Sequence, residues 1–347
     1  GGSDRSAIRR VRAEDDVVVV SHPDDVVEAV GTRRLVEFVE LDGWIHRLVV
    51  TRGRVQHRRL ASAAEVADQL DALLFGLRGA STRQGAAGER AAAVATGAAD
   101  RLDGLLFAGL PCAGDDDRLV VVPTGRLHAL AWNALVTCRA SPTSVAPSAH
   151  LWIATDRRPE RQDTVVAMLG PDVPLGRLEC ETVARLANGR VIAGPDGPTH
   201  RRGALEAFAV ADVVHLAAHG TFRHDNPLLS ALHLADGELF AHEFELLDDM
   251  PSTVVLTACH VGAVGVRAGD EPLGFPAVLS ARGTRCLVAP IMPVEDEASK
   301  DLAVEFHRRL HGGHPAAAAL ALAASDVRDR SARHAAAAAT FQCFGAG

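Results

Sequence analysis

The chain has 347 residues, 48 % of them apolar and 23 % charged, with a net charge of −8 and an isoelectric point near 6.1. That composition is ordinary for a globular protein with room for a sizeable core, and the acidic balance, with no basic stripe interleaved with aromatics, excludes a general nucleic-acid binder. No apolar run reaches the roughly 18–20 residues of a membrane-crossing helix, and six scattered cysteines without a C-x-x-C pair argue against a zinc ribbon and a disulfide framework. A reducing, cytoplasmic setting is expected.

Residues 1–32 are charged and weakly patterned and read as an N-terminal extension or linker. Residues 33–158 read as a smaller α+β N-terminal lobe. In it, "LVEFVELDG" and "WIHRLVVTRGRVQHRRL" predict strands joined by turns at Asp42-Gly43 and Arg52-Gly53. Ala61 to Leu77 follows as a helix, with Ser62 as N-cap and Glu65 three residues on. Gly79 to Gly88 is small-residue rich and reads as a loop, and Glu89 to Leu110 as a second helix. "RLVVVPTGRLHALAWNAL" predicts a buried strand followed by a tight turn, and "TSVAPSAHLWIA" a short strand and a helix start. The polar "DRRPERQD" marks the boundary to a core over 159–347.

Strands and helices alternate in that core. Strands are expected in "TVVAMLG", "RVIAG", "ADVVHLAAHG", "STVVLTAC", "TRCLVAPI" and "ATFQCFG". Helices are expected over 178–187, 199–208, 274–282, 299–310 and 315–328. Such alternation predicts an α/β fold with a mostly parallel central sheet and helices on both faces. In such sheets function collects at the carboxyl ends of the strands.

Two strands end in reactive residues: one in His219-Gly220, the other in Cys259-His260. Thiolate is the attacking form of cysteine, and a neighbouring histidine can generate it. The N–H groups of Gly220 and Cys259 can then serve as an oxyanion hole. No residue in the sequence signals an obligatory third member. On the residues alone, packing competes evenly with catalysis, because free cysteine is among the most buried residue types. The other five cysteines read as packing. In "HLAAH", His215 and His219 stand four apart, but Leu216 follows the first histidine where a zinc peptidase needs Glu, so His215 reads as a core residue. No metal or cofactor is expected. Asp270, Glu271 and Asp296 lie in acidic loops after the key strands. They are candidates for binding a basic residue before a scissile bond, with Asp296 ahead of the others; solvated loops or helix-start charges are the plainer reading. The glycine-spaced "VGAVGVRAG" predicts a mobile loop over 261–272, to be ordered by a partner.

"DVVHLAAHGTF", "NPLLSALHLADGELFAHEFELLD", "STVVLTACHVGAVGVRAGDEPLGFPAVLSARGTRCLVAPIMPVEDEAS" and the terminal "FQCFGAG" resemble the CHAT family, caspase-like cysteine peptidases related to caspases and separase. The resemblance extends upstream through "RLVVVPTGRLHALAWNAL" and covers roughly 33–347. It implies a caspase-like three-layer sandwich and hydrolysis of peptide bonds in protein substrates through a thioester. Its catalytic histidine falls on His219, its nucleophile on Cys259 and its acidic "VxD" element on Asp296. This chain departs from the family pattern at His260-Val261, where Glu-Thr is usual before Gly262, and at Met292, where Trp is common. The resemblance also implies a regulated effector domain of a larger bacterial protein, with upstream TPR repeats or another regulatory region, or an activating partner. No nucleic-acid or membrane partner is expected. The alternative is a caspase-like module that keeps the fold without turnover.

Overall fold

In the computed structural model the described residues are 23–111, 118–192, 197–223, 226–257, 262, 265–267 and 271–347, with the backbone alone for 23, 265–267 and 271–273. The chain enters through helix α1 (Pro23–Val30) and an antiparallel ribbon of β1 (Arg34–Leu41), β2 (Trp44–Thr51) and β3 (Arg54–Ser62). Both turns of the ribbon place two residues in the left-handed region, Asp42 and Gly43 at φ 52° and 76°, Arg52 and Gly53 at 49° and 72°. That geometry matches the twist of the flanking strands. Ser62 then caps α2 (Ala63–Thr82), its hydroxyl accepting from the Glu65 N–H at 3.2 Å.

Helix α2 continues through Gly79 to Thr82, into the loop expected there, and only Arg83 and Gln84 separate it from α3 (Gly85–Phe107). The small residues there are a helix–helix contact. A Cβ at Gly76 would lie 2.6 Å from the Ala95 nitrogen, and one at Gly79 2.8 Å from the Ala91 Cβ. Close approach of two helices, and not a turn, is what these glycines permit.

The sheet continues with β4 (Leu119–Val122), two 3-10 turns, the short α4 (Val136–Arg139), β5 (Thr143–Val145) and α5 (Ala149–Asp156). The second half alternates as expected: β6 (Val165–Leu169), α6 (Gly176–Leu186), β7 (Arg190–Ile192), α7 (Arg201–Val210) and β8 (Val213–Ala217). A small antiparallel sheet of β9 (Gly220–Thr221), β10 (Ala231–Leu234) and β11 (Gly237–Phe240) follows, then β12 (Thr253–Leu256). The expected loop after β12 contains a hairpin, β13 (Gly265–Arg267) against β14 (Glu271–Leu273), with Val266 opposite Pro272. Three-residue strands are too short for alternation to register in a sequence. The chain closes with α8 (Phe275–Ala281), β15 (Cys286–Pro290), α9 (Asp296–His311), α10 (Ala316–Arg328), α11 (Ala332–Thr340) and β16 (Phe341–Gly345).

The described strands form one large sheet in the order β3-β2-β1-β4-β5-β16-β15-β12-β8-β6-β7. The run β15-β12-β8-β6-β7 is parallel, as is β1-β4-β5-β16, and the two runs meet antiparallel at β15 and β16. Alternate side chains of β6, β8, β12 and β15 feed opposite faces. Val213, Val255 and Val288 pack under Leu302, Phe306 and Leu320 of α9 and α10. Val214, Leu216, Val254 and Leu287 belong to the opposite core, with Phe208 of α7 and Phe275 of α8. Burying each such side chain contributes about 1.5–3 kcal/mol. The result is a three-layer α/β sandwich. Among the described residues no helix is long and apolar enough to cross a membrane.

Candidate active site

Strands β6, β8, β12 and β15 are adjacent, parallel and fully buried. Their carboxyl ends open on one small cleft of about 310 Å³. It is lined by Val173 after β6, Ala218 and His219 after β8, Thr257 after β12, Pro290 at the end of β15, and Asp296 at the start of α9. This is where an open parallel sheet places its chemistry.

His219 is half-buried, and its ring Nε2 lies 2.9 Å from the carbonyl oxygen of Asp172. A carbonyl can only accept, so Nε2 carries the proton. In the neutral ring Nδ1 is therefore the basic nitrogen. The turn after β6 makes this contact possible. Gly170 donates its N–H to the Ala217 carbonyl at 2.7 Å, and a Cβ there would come within 2.6 Å of the Ala218 Cβ. Asp172 then adopts φ 56°, a left-handed conformation that Asp tolerates better than most residues. The Asp172 contact was invisible to sequence reasoning, because its partner is a backbone carbonyl. The one available signal was "GPD" directly after a predicted strand.

The His219 carbonyl accepts from the His233 N–H at 2.9 Å, while Gly220 stands opposite Leu232. In an antiparallel ladder this makes Gly220–Leu232 a non-hydrogen-bonded pair, so the Gly220 N–H points away from β10.

Cys259 lies outside the described residues, as do His260, Val261 and Asp270. The flanking positions are placed. Thr257 donates its N–H to the Leu216 carbonyl at 3.1 Å and lines the cleft. Gly262 donates to the Pro290 carbonyl at 3.0 Å, against the end of β15. Glu271 is placed in the β14 backbone, opposite Arg267.

Asp296 shares the cleft with His219. The sequence pattern predicts that its helix begins at Ser299, but α9 starts at Asp296 itself. Glu295 is the cap, its carboxylate accepting from the Ala298 N–H at 3.0 Å. Met292 is buried.

His215 is fully buried. Its Nε2 is 3.0 Å from a carboxylate oxygen of buried Glu179, and its Nδ1 3.2 Å from Nε2 of His307, which in turn reaches His311 at 3.5 Å. These groups form a line through the interior and do not converge. Among the described residues no group of three or more His, Cys, Asp or Glu side chains could hold a metal ion. Cys138, Cys180, Cys286 and Cys343 are buried. Burial pushes the Cys138 thiol up and that of Cys180 up to about 12. The neighbouring Cys343 and burial together push Cys286 well up. Such thiols carry little thiolate at neutral pH and are poor nucleophiles.

A family model for the CHAT domain matches residues 95–346. None of the curated proteins compared with the chain matches it. Among solved structures, two of the Saccharomyces cerevisiae separase–securin complex are similar, at TM-scores of 0.71 and 0.67 and 10 % identity. Both likenesses cover 93 % of this chain, and 30 % and 31 % of the separase chain, so this chain spans under a third of that length. Porphyromonas gingivalis RgpB aligns over 81 % of this chain and 76 % of its own at 11 % identity, with a TM-score of 0.44 too low to build on. The three-layer architecture is the caspase-like one, and the chain belongs to the CHAT domain family.

Proposed function

We propose that this chain is a cysteine endopeptidase domain acting on protein substrates, with Cys259 as nucleophile and His219 as general base and acid. The observation that carries the reading is the fixed tautomer of His219. Its Nε2–H is committed to the Asp172 carbonyl, which leaves Nδ1 as the basic nitrogen in a cleft that Thr257, two residues before Cys259, also lines.

In this reading Nδ1 takes the thiol proton and the thiolate attacks the scissile carbonyl carbon. The oxyanion is met by the N–H groups of Gly220 and Cys259. Collapse of the tetrahedral species breaks the C–N bond, and the imidazolium returns its proton to the leaving amine. Water, deprotonated by the same Nδ1, then hydrolyses the thioester. The Asp172 carbonyl holds the ring in place and stabilises the imidazolium each time it forms. Asp296 receives a basic side chain before the cut, with Asp270 and Glu271 as further acidic candidates.

The domain division into 33–158 as N-terminal lobe and 159–347 as peptidase core belongs to this proposal, as do residues 1–32 as a linker. So does a cytoplasmic bacterial effector controlled by an upstream TPR or other regulatory region, or by an activating protein partner. The similar yeast separase structures are complexes with securin. The test is cleavage of a peptide library, read by mass spectrometry, with Cys259→Ala and His219→Ala beside the parent chain. Loss of cleavage in both supports the assignment; parent-like cleavage by either overturns it. A catalytically silent interaction module is the second reading. It is favoured by Met292 and Val261 standing where the family pattern has Trp and Thr, and it predicts no cleavage by the parent chain even with a partner bound.

A further inference from the structure

Two adjoining cavities share no lining residue with the His219 cleft. The larger, about 420 Å³, is walled by Leu73 and Leu77 of α2, Ala95 and Ala99 of α3, and Ala335 and Ala336 of α11. The smaller, about 360 Å³, is bounded by Cys138 and by residues of α10. Arg139 and Arg328 line both and so stand where the two meet.

The two cations differ in burial. The Arg139 side chain is exposed and, among the described residues, makes no ion pair or hydrogen bond. Arg328, half-buried, makes one long bond of 3.4 Å to the Asn133 carbonyl. Burial and the charge of Arg139 bring its guanidinium down to about 10, which Asp329 offsets only in part. Each guanidinium offers five donors in a planar fork. The half-buried fork of Arg328, with a second cation and no carboxylate lining the same two cavities, is costly in the empty protein. An incoming anion removes that cost.

We propose that Arg139 and Arg328 bind the head of a small amphipathic carboxylate whose apolar tail fills the alanine-lined cavity. The planar carboxylate matches the guanidinium fork in two-point contact. The leucine and alanine walls offer little to a polyanion and much to a hydrocarbon.

Two helices that wall the cavity also reach the segment ahead of Asp296. Ser81 of α2 donates its hydroxyl to the Pro293 carbonyl at 3.1 Å, and Arg333 of α11 pairs with Glu295 at 3.5 Å. Both bonds hold the segment just ahead of Asp296. A ligand that fixes the spacing of α2 and α11 therefore fixes this segment. That consequence rests on the peptidase reading, whereas binding itself does not.

Binding is measured by calorimetry on the full chain with sodium octanoate, and with octan-1-ol and octylammonium as neutral and cationic counterparts. Octanoate is expected to bind at least about ten-fold more tightly than either. Arg139→Gln with Arg328→Gln weakens octanoate by about ten-fold or more without lowering the melting temperature. Ala335→Leu, which fills the cavity and leaves both arginines, abolishes binding. The proposal is overturned if octanoate does not bind at millimolar concentration, if octanol binds as tightly, or if either variant binds like the parent. None of these readouts depends on peptide cleavage.

Discussion

The ring of His219 is held by the main chain of Asp172: Nε2 sits 2.9 Å from its carbonyl oxygen, at the carboxyl ends of neighbouring strands β8 and β6. No substitution can delete a backbone carbonyl, but the conformation that aims it can be disturbed. Asp172 is left-handed at φ 56°. Asp172→Val places a β-branched residue there and should destabilise the fold by about 1 kcal/mol or more. Displacing the ring should lower kcat by up to about 100-fold. Asp172→Gly should leave both near the parent values. Urea unfolding and steady-state kinetics on the two variants check this; equal effects of Val and Gly would show that the carbonyl does not orient the histidine.

Asp296 and Glu295 are neighbours with separable roles. Glu295 caps α9, so Glu295→Ala should cost about 1 kcal/mol of stability. Asp296 lines the cleft, so Asp296→Asn should change stability by less than about 1 kcal/mol. It should lower kcat/KM for substrates with Arg before the cut by about ten- to hundred-fold, with little effect on neutral substrates. Chemical denaturation and paired fluorogenic peptides measure both.

His307, buried, and His311, half-buried, make stability depend on pH. Burial first, then the neighbouring His215 and His311, hold the His307 ring well below the usual histidine range; burial alone lowers His311. Near and below pH ~6.5 the unfolded chain takes up protons that these folded rings refuse. Stability is therefore complete above about pH 6.5 and lost as pH falls below it, by up to about 1.4 kcal/mol per pH unit for each proton. His307→Gln should flatten that slope by about one proton. Urea midpoints between about pH 7.5 and 5 test it, and an unchanged slope would remove His307 from the account.

Gly170 carries the turn that aims Asp172. An added methyl would meet Ala218 at 2.6 Å and the His233 carbonyl at 2.9 Å, all beside His219. Gly170→Ala should cost about 1–3 kcal/mol by overpacking and lower activity more than the fraction unfolded explains. Thermal melts alongside kinetics separate the two.

The alternation of elements was legible because buried parallel strands such as β6 and β8 are continuous apolar runs between turn residues. His215 was legible as a core residue from its place within such a run. The loop expected from Gly79 to Gly88 was misjudged because glycine marks both a turn and a close helix contact, and only the packing against Ala91 and Ala95 distinguishes them. The helix over Ala332–Thr340 escaped because an alanine run has no apolar–polar periodicity to read. At the candidate site, His219 was named from the sequence, whereas the position of the Asp172 carbonyl and the direction of the Gly220 N–H depend on chain path and strand register. Burial, expected of these cysteines from the sequence, sets Cys138, Cys180 and Cys286 aside as nucleophiles.

The central claim is that Cys259 is a nucleophile made reactive by His219. A peptidyl-arginine acyloxymethyl ketone, incubated with the native chain and mapped by tandem mass spectrometry, tests it most directly. The account predicts one adduct, on Cys259, formed at least about 100-fold more slowly after His219→Ala, with Cys138, Cys180, Cys286 and Cys343 unmodified. An adduct on a different cysteine, or labelling of Cys259 at an unchanged rate without His219, would contradict it.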